Sequence, residues 1–180
     1  MGKIILYSAL SLDGFIAKPD GSVDWLHDPA FHIEGEDFGY KAFYEGVGTT
    51  LMGNNTYREI LNMDIPFPYP ETKNYVFSRF KDTKDTAYVQ FAKEKVLDFV
   101  PRVKAEAHKD IWLIGGAQIN GLLLKAGLID QLILTIIPVI LGKGIPLFSG
   151  EELSSKWVLK HSQTYANSFV QVVYDYEKTD

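Results

Sequence analysis

Ile111-Trp112-Leu113-Ile114-Gly115-Gly116-Ala117-Gln118-Ile119-Asn120 changes character half-way along. Four apolar residues run without a break, too few for a free-standing helix and right for a strand buried on both faces. Two glycines follow. Ala117, Ile119, Leu122 and Leu123 then take up helical spacing as far as Gly127, a natural C′ residue. The order is strand, Gly-Gly turn, helix. A helix N-terminus carries about half a positive charge and several free N–H groups, and glycines let an anion approach that backbone closely. Gly-Gly alone leaves two readings open: a diphosphate cradle, or a tight turn that binds nothing.

Upstream the same order recurs. Thr49 to Met52 reads as a strand, Gly53-Asn54-Asn55-Thr56 as a turn with Asn54 or Asn55 as N-cap, and Tyr57 to Leu61 as a helix start. Asn74 to Phe77 is a further strand, ended by Ser78-Arg79, a hydroxyl and a forked cation suited to a phosphate monoester. Lys3 to Leu10 is a β-rich first strand, and Phe15 to Ala17 a short extended piece. Glu36 to Gly46 is a helix candidate, and Ala87 to Phe91 a strand. Asp98 to Ala107 reads as a helix in which Pro101 is tolerable if Asp98 is the N-cap. Leu132 to Ile137 is a strand, and Lys156 to Tyr165 with Phe169 to Tyr176 a hairpin. Alternation of strand and helix predicts a largely parallel sheet with helices on both faces, closed by an antiparallel hairpin. Turns after parallel strands share the carboxyl edge, where open α/β sheets bind ligands. Three phosphate-competent turns on that edge suggest a phosphorylated dinucleotide.

Composition narrows the classes. The chain has 180 residues with no linker or repeat, so residues 1–180 read as one domain. A net charge of −5 without a Lys/Arg cluster disfavours nucleic acid as a partner. There is no cysteine, which excludes disulfides and thiolate zinc sites, and no spacing of the four histidines suggests a metal. No apolar run reaches the roughly 18 residues of a membrane span, and the N-terminus lacks a signal-peptide pattern. The expectation is a cytoplasmic protein acting on a small molecule. The apolar, β-branched stretch 132–141 and the closing hairpin predict a homodimer through the C-terminal region.

SALSLDGFIA at Ser8 to Ala17, LMGNNTY at Leu51 to Tyr57, NYVFSR at Asn74 to Arg79, IWLIGGAQIN, and LTIIPVILGKGIPLF at Leu134 to Phe148 stand in an order that resembles the dihydrofolate reductase-like superfamily. The chain is most similar to stand-alone bacterial proteins related to the reductase domain of the bifunctional riboflavin deaminase–reductase. The resemblance implies a twisted, mostly parallel sheet of about eight strands and an NADPH-dependent reductase of a nitrogen heterocycle. The implied substrate is 5-amino-6-(5-phosphoribosylamino)uracil, with a dihydrofolate or pterin as alternative. A third reading is an NADP-binding protein without reductase activity. Under the resemblance, Gly53, Asn54, Asn55 and Thr56 face Gly115, Gly116, Ala117, Gln118 and Ile119 across the diphosphate. Ser78 and Arg79 meet the 2′-phosphate, and Ala9, Ile16 and Ile114 lie near the nicotinamide. Trp25 matches the tryptophan of a mobile loop. Trp25, Asp37 and Thr135 would line the substrate pocket, with Asp37 as its catalytic acid, shielded from water by Phe38 and Trp25. Asp37 also admits a plainer reading as a helix-start carboxylate. One departure stands out: relatives carry a basic residue where this chain has Asn54-Asn55.

Overall fold

The computed structural model of the chain describes residues 2–177. In chain order the strands and helices are β1 (Ile4–Ser11), β2 (Phe15–Ala17), α1 (Tyr40–Glu45), β3 (Val47–Gly53), α2 (Asn54–Asn62), β4 (Lys73–Phe77), β5 (Val89–Ala92), α3 (Val96–Glu106), β6 (Asp110–Gly115), α4 (Ala117–Lys125), β7 (Gln131–Ile137), β8 (Ile145–Pro146), β9 (Trp157–Thr164) and β10 (Val170–Tyr176). Eight strands form one sheet in the order β5-β4-β3-β6-β1-β7-β10-β9, and β2 pairs with β8 in a small second sheet. Strands β5 through β7 run parallel, and β10 and β9 close the sheet antiparallel. This is the α/β architecture expected from the alternating pattern, hairpin included. Among the described residues no helix is long and apolar enough to cross a membrane.

Strand alternation sorts the core. Ile4, Leu6 and Leu10 of β1 face one side with Leu51, Ile111 and Leu113, beneath Phe99, Val100 and Val103 of α3 and Leu123 of α4. The opposite face carries Met52 and Val76 under Tyr57 and Ile60 of α2. It also carries Ala9, Ile137 and Phe169 under the segment that holds Trp25 and Phe38. Here too belong Tyr7 and Trp112, against Tyr40 and Phe43 of α1. Helices therefore cover both faces.

Three local expectations need correction. The helix expected from Glu36 begins only at Tyr40, because Phe38 (φ 55°) and Gly39 (φ 79°) adopt left-handed backbone that cannot start an α-helix. The α3 cap is Lys95 and not Asp98, so Pro101 lies inside the helix. The proline removes one internal N–H bond, and burial of Phe99, Val100 and Val103 holds the helix in spite of it. Neither asparagine caps α2: Gly53 is the N-cap, and both Asn54 and Asn55 lie within the helix. Trp25, matched by resemblance to a mobile loop, is buried in a 3-10 turn beside Ile137 and Phe169 and anchors that loop to the core. The α4 end follows its sequence signal: Gly127 has φ 63°, and Leu128 N–H donates to Leu123 while Gly127 N–H donates to Leu124, a Schellman closure.

Candidate active site

β3 and β6 are parallel neighbours, so the turns that follow them emerge side by side. Gly115 and Gly116 both have φ 103°, a conformation only glycine adopts without strain. A Cβ on Gly115 would lie 2.6 Å from Asn120 Oδ1, and one on Gly116 would lie 3.1 Å from Thr56 Oγ1. The backbone here is therefore bare by necessity. Thr56 Oγ1 donates to the Gly115 carbonyl at 3.2 Å and ties the two turns together. Gly53 packs toward Ile119. Neither α2 nor α4 has a side-chain cap at its N-terminus among the described residues. Two helix N-termini, each with first-turn N–H groups and the positive end of its dipole, thus converge over glycine backbone. Ser78 and Arg79 follow β4, whose Phe77 is in register with Gly53, so they stand on the same edge. Ser78 Oγ accepts from Phe80 N–H at 3.0 Å, and Arg79 is exposed.

The face beside this edge is aromatic with a polar row. Ala9, Thr135 and Gln171 are in register across β1, β7 and β10. Gln171 Nε2 donates to Thr135 Oγ1 at 3.0 Å and to the Phe38 carbonyl at 3.0 Å. Tyr7 Oη donates to that same carbonyl at 3.3 Å. Burial pushes the Tyr7 hydroxyl up to about 12, against a lowering contribution from Gln171. Trp112 is the hub of the aromatic packing, with Tyr7, Tyr40, Phe43, Tyr44 and Tyr69 around it. Among the described residues three buried polar atoms have no partner in the protein: Trp25 Nε1, Tyr44 Oη and Asn120 Oδ1. Such atoms cost free energy unless something satisfies them. Asn120 sits under the Gly-Gly turn, and the other two lie in the cover of the aromatic face.

The structure therefore brings Gly53 to Thr56, Gly115 to Ile119 and Ser78-Arg79 onto one edge. Ala9 and Ile114 lie near the carboxyl ends of the neighbouring strands β1 and β6, with Ile16 on β2. Asp37 is placed differently from its expected role. It is exposed, and its two carboxylate oxygens accept from Gly39 N–H at 2.9 Å and Lys41 N–H at 3.0 Å, capping α1. Phe38, expected to shield it, turns its ring to Tyr165 and Phe169 instead. Gln171 was legible only as a polar residue at an inward position of a hairpin strand. Asp13 was missed altogether: its carboxylate accepts from Ser11 Oγ at 2.6 Å and from Leu141 and Gly142 N–H at 3.1 and 2.7 Å. These bonds hold its pKa below the usual carboxylate value, the Ser11 bond most of all. They pin the β1–β2 turn to the loop before β8. A separate cavity of about 430 Å³ opens at the other edge, beside Thr72, Asn74 and Tyr88. Asn74 is saturated there by Thr50, Thr72, Tyr69 and Tyr88, so this region is structural.

The RibD C-terminal domain model matches residues 2–171. The chain belongs to the RibD C-terminal domain family. It is 40% identical to the uncharacterized Bacillus subtilis (strain 168) protein YwjB, over 96% of this chain and 97% of that protein. It is 34% identical to YyaP of the same organism, over 96% and 94%. Among solved structures it is similar to a Shewanella sp. PV-4 protein named for riboflavin biosynthesis, with TM-score 0.85 and 32% identity over 99% of this chain and all of that one. The bifunctional deaminase/5-amino-6-(5-phosphoribosylamino)uracil reductase of Thermotoga maritima shares the fold at TM-score 0.71 and 16% identity; the match covers 97% of this chain and 56% of that one. The fold is thus that of the RibD reductase domain.

Proposed function

We propose that this RibD C-terminal domain protein is an NADPH-dependent reductase that acts on a flat nitrogen heterocycle. The observation that carries the reading is the convergence of two uncapped helix N-termini over the Gly53 and Gly115-Gly116 backbone, a cradle that any Cβ at Gly115 would disturb. NADPH would supply the hydride. The turns at Gly53 to Thr56 and Gly115 to Ile119 hold its diphosphate, Ser78 and Arg79 take the 2′-phosphate, and Ala9, Ile16 and Ile114 flank the nicotinamide. Asn54 and Asn55 offer neutral amides to the phosphates, so the grip lacks the roughly 2 kcal/mol that a basic residue at this turn would add. The substrate ring lies beside Thr135, whose hydroxyl orients it, and Trp25 backs the cover. Asp37 acts at one remove, by fixing the turn before α1.

By kinship the reference substrate is 5-amino-6-(5-phosphoribosylamino)uracil, with a dihydropterin as the alternative. A second reading, an NADP-binding protein without turnover, is favoured by Asn54-Asn55 and by the engagement of Asp37 as a cap. We read the protein as one cytoplasmic domain that pairs into a homodimer through its C-terminal hairpin, whose edge strand β9 exposes Val158 and Leu159. Sedimentation as monomer alone at micromolar concentration would contradict the pairing. The test of the function is loss of the nicotinamide absorbance with each candidate ring. Turnover supports the reductase; tight NADPH binding with no turnover on any ring supports the binding protein.

A further inference from the structure

Asp13 gathers three donors on one carboxylate. Its Oδ1 accepts from Ser11 Oγ at 2.6 Å and from Leu141 N–H at 3.1 Å, and its Oδ2 accepts from Gly142 N–H at 2.7 Å. Ser11 Oγ also accepts from Phe15 N–H at 3.0 Å, and Leu12 N–H donates to the Val139 carbonyl at 2.8 Å. The β1–β2 turn and the 139–142 loop, far apart in sequence, are thus locked to each other. Each leads to a different part of the candidate site. The turn sets the path from Ala9 on β1 to Ile16 on β2. The loop carries Val139 and Leu141, which pack on the cluster of Trp25, Ile137 and Phe169.

The loop is one end of a longer strap. The next residues lie against β2: Ile145 pairs with Ala17 and Pro146 with Phe15, and Gly144 meets the Ala17 carbonyl so closely that no Cβ fits. The far end is held on α4. Asn120 Nδ2 donates to the Leu147 carbonyl at 2.8 Å, and Ser149 N–H donates to the Ala117 carbonyl at 3.0 Å. The segment 138–149 therefore runs from the Trp25 cluster to the helix that follows Gly115-Gly116, and Asp13 anchors it at the β1 end. An ordinary turn needs no ionised group, since a hydroxyl or amide side chain serves. Hydrogen bonds to an ionised acceptor are shorter and about twice as strong as neutral ones. An amide here would keep one accepting oxygen and point an N–H donor at the N–H of Gly142 or Leu141. The lock is therefore specific to a carboxylate.

We propose that Asp13 is a positioning residue for the dinucleotide: by locking the β1–β2 turn to the strap, it fixes the slot between Ala9, Ile16 and the Trp25 cluster in which the nicotinamide meets the acceptor ring. The inference rests on the reductase reading and adds the residue that aligns the nicotinamide end. Asp13 makes and breaks no bond with either molecule. Its effect is geometric, and a displacement of about 1 Å at reacting groups lowers a rate by about a hundredfold. The phosphate groups take their contacts from other elements, α2, α4 and the end of β4. The nicotinamide end alone should therefore loosen when the lock is opened.

The test is calorimetry on the intact protein with two ligands: NADPH, and 2′,5′-ADP, which has the adenosine and phosphates but no nicotinamide. Asp13→Asn should weaken NADPH about tenfold and 2′,5′-ADP less than about twofold. Ser11→Ala removes one donor to the carboxylate and the acceptor of Phe15 N–H. It should weaken NADPH about threefold with the same selectivity, and it carries the test if Asp13→Asn does not fold. Asp130→Ala, which frees Ile4 N–H and Lys104 at the amino edge, is the control for stability. It should lower the melting temperature and weaken neither ligand. Equal losses on both ligands overturn the inference, because Asp13 then only holds the fold. Undiminished NADPH affinity in folded Asp13→Asn overturns it as well. A parent protein that binds neither ligand removes the reductase reading, and the inference with it. Selective loss of NADPH, with no ring turned over by the parent, keeps the inference and removes the reductase reading alone.

Discussion

The main-chain N–H groups of Lys3 and Ile4, at the amino edge of the sheet, are held by the carboxylates of Asp110 and Asp130 at 2.9 and 2.8 Å. Those that open α2 and α4, at the carboxyl edge, meet no side-chain cap. Asp130 also pairs with Lys104 at 2.6 Å, and Lys104 donates to the Leu128 carbonyl at 3.2 Å, so α3, β1 and the approach to β7 are fastened at one point. At the carboxyl edge the counterpart is bare glycine backbone and an Asn120 Oδ1 with no partner. One edge satisfies its polar groups within the chain and stabilises the fold. The other leaves them without a side-chain partner among the described residues, and the proposed cofactor site rests on that difference. The two can therefore be broken separately.

The largest effect on stability belongs to the amino edge. Asp130→Ala strands a part-buried lysine and an N–H of β1, and should cost about 2–3 kcal/mol in urea unfolding. NADPH affinity measured below the unfolding transition should not change. A loss of cofactor affinity in the folded variant would erase the division between the edges. Arg79→Ala is the converse. It should lower the preference for NADPH over NADH by roughly tenfold or more, equivalent to about 1.5–3 kcal/mol, with little change in melting temperature. An unaltered preference would reduce Ser78-Arg79 to an ordinary loop.

A smaller effect separates the two accounts of Asp37. Removing its carboxylate in Asp37→Ala should cost about 1 kcal/mol, the usual worth of a helix-start cap, while Asp37→Asn should fold and turn over within about threefold of the parent. A hundredfold loss of turnover in Asp37→Asn with an intact melting temperature would restore this residue as the proton-delivering group.

The contrast between the edges also marks what could be read from the sequence. Gly53, Gly115-Gly116 and Gly127 announced themselves because each stands at a change of period from strand to helix or at a helix end, a local signal. The parallel order and the hairpin followed from the same periods. The late start of α1 was hidden, since Phe38 in a left-handed conformation breaks the usual rule for a bulky residue, and its cause lies in partners far along the chain: Tyr7, Tyr165, Phe169 and Gln171. The Asp13 clasp on Leu141 and Gly142 spans more than a hundred residues and leaves no periodic trace. Two-residue β8 is too short to carry one. Of the two readings of Asp37, register pointed to the pocket and residue type to a helix start; the turn made by Phe38 and Gly39 directs its oxygens to the N–H groups of Gly39 and Lys41, as the second reading expects.

The most direct measurement is NADPH binding to Gly53→Asp. Gly53 has ordinary extended backbone (φ −77°, ψ 158°), is the N-cap of α2, and has room for a Cβ at normal contact distance from Ile119. Aspartate is a favoured cap that also suits the helix dipole, so the variant should be as stable as the parent or more so by about 0.5–1 kcal/mol. It would also place a carboxylate where two helix N-termini are to receive a diphosphate. The account predicts that NADPH affinity, followed by calorimetry, falls by about a hundredfold while the melting temperature holds or rises. Unchanged affinity in a fully folded variant, or no NADPH binding by the parent protein, would contradict it.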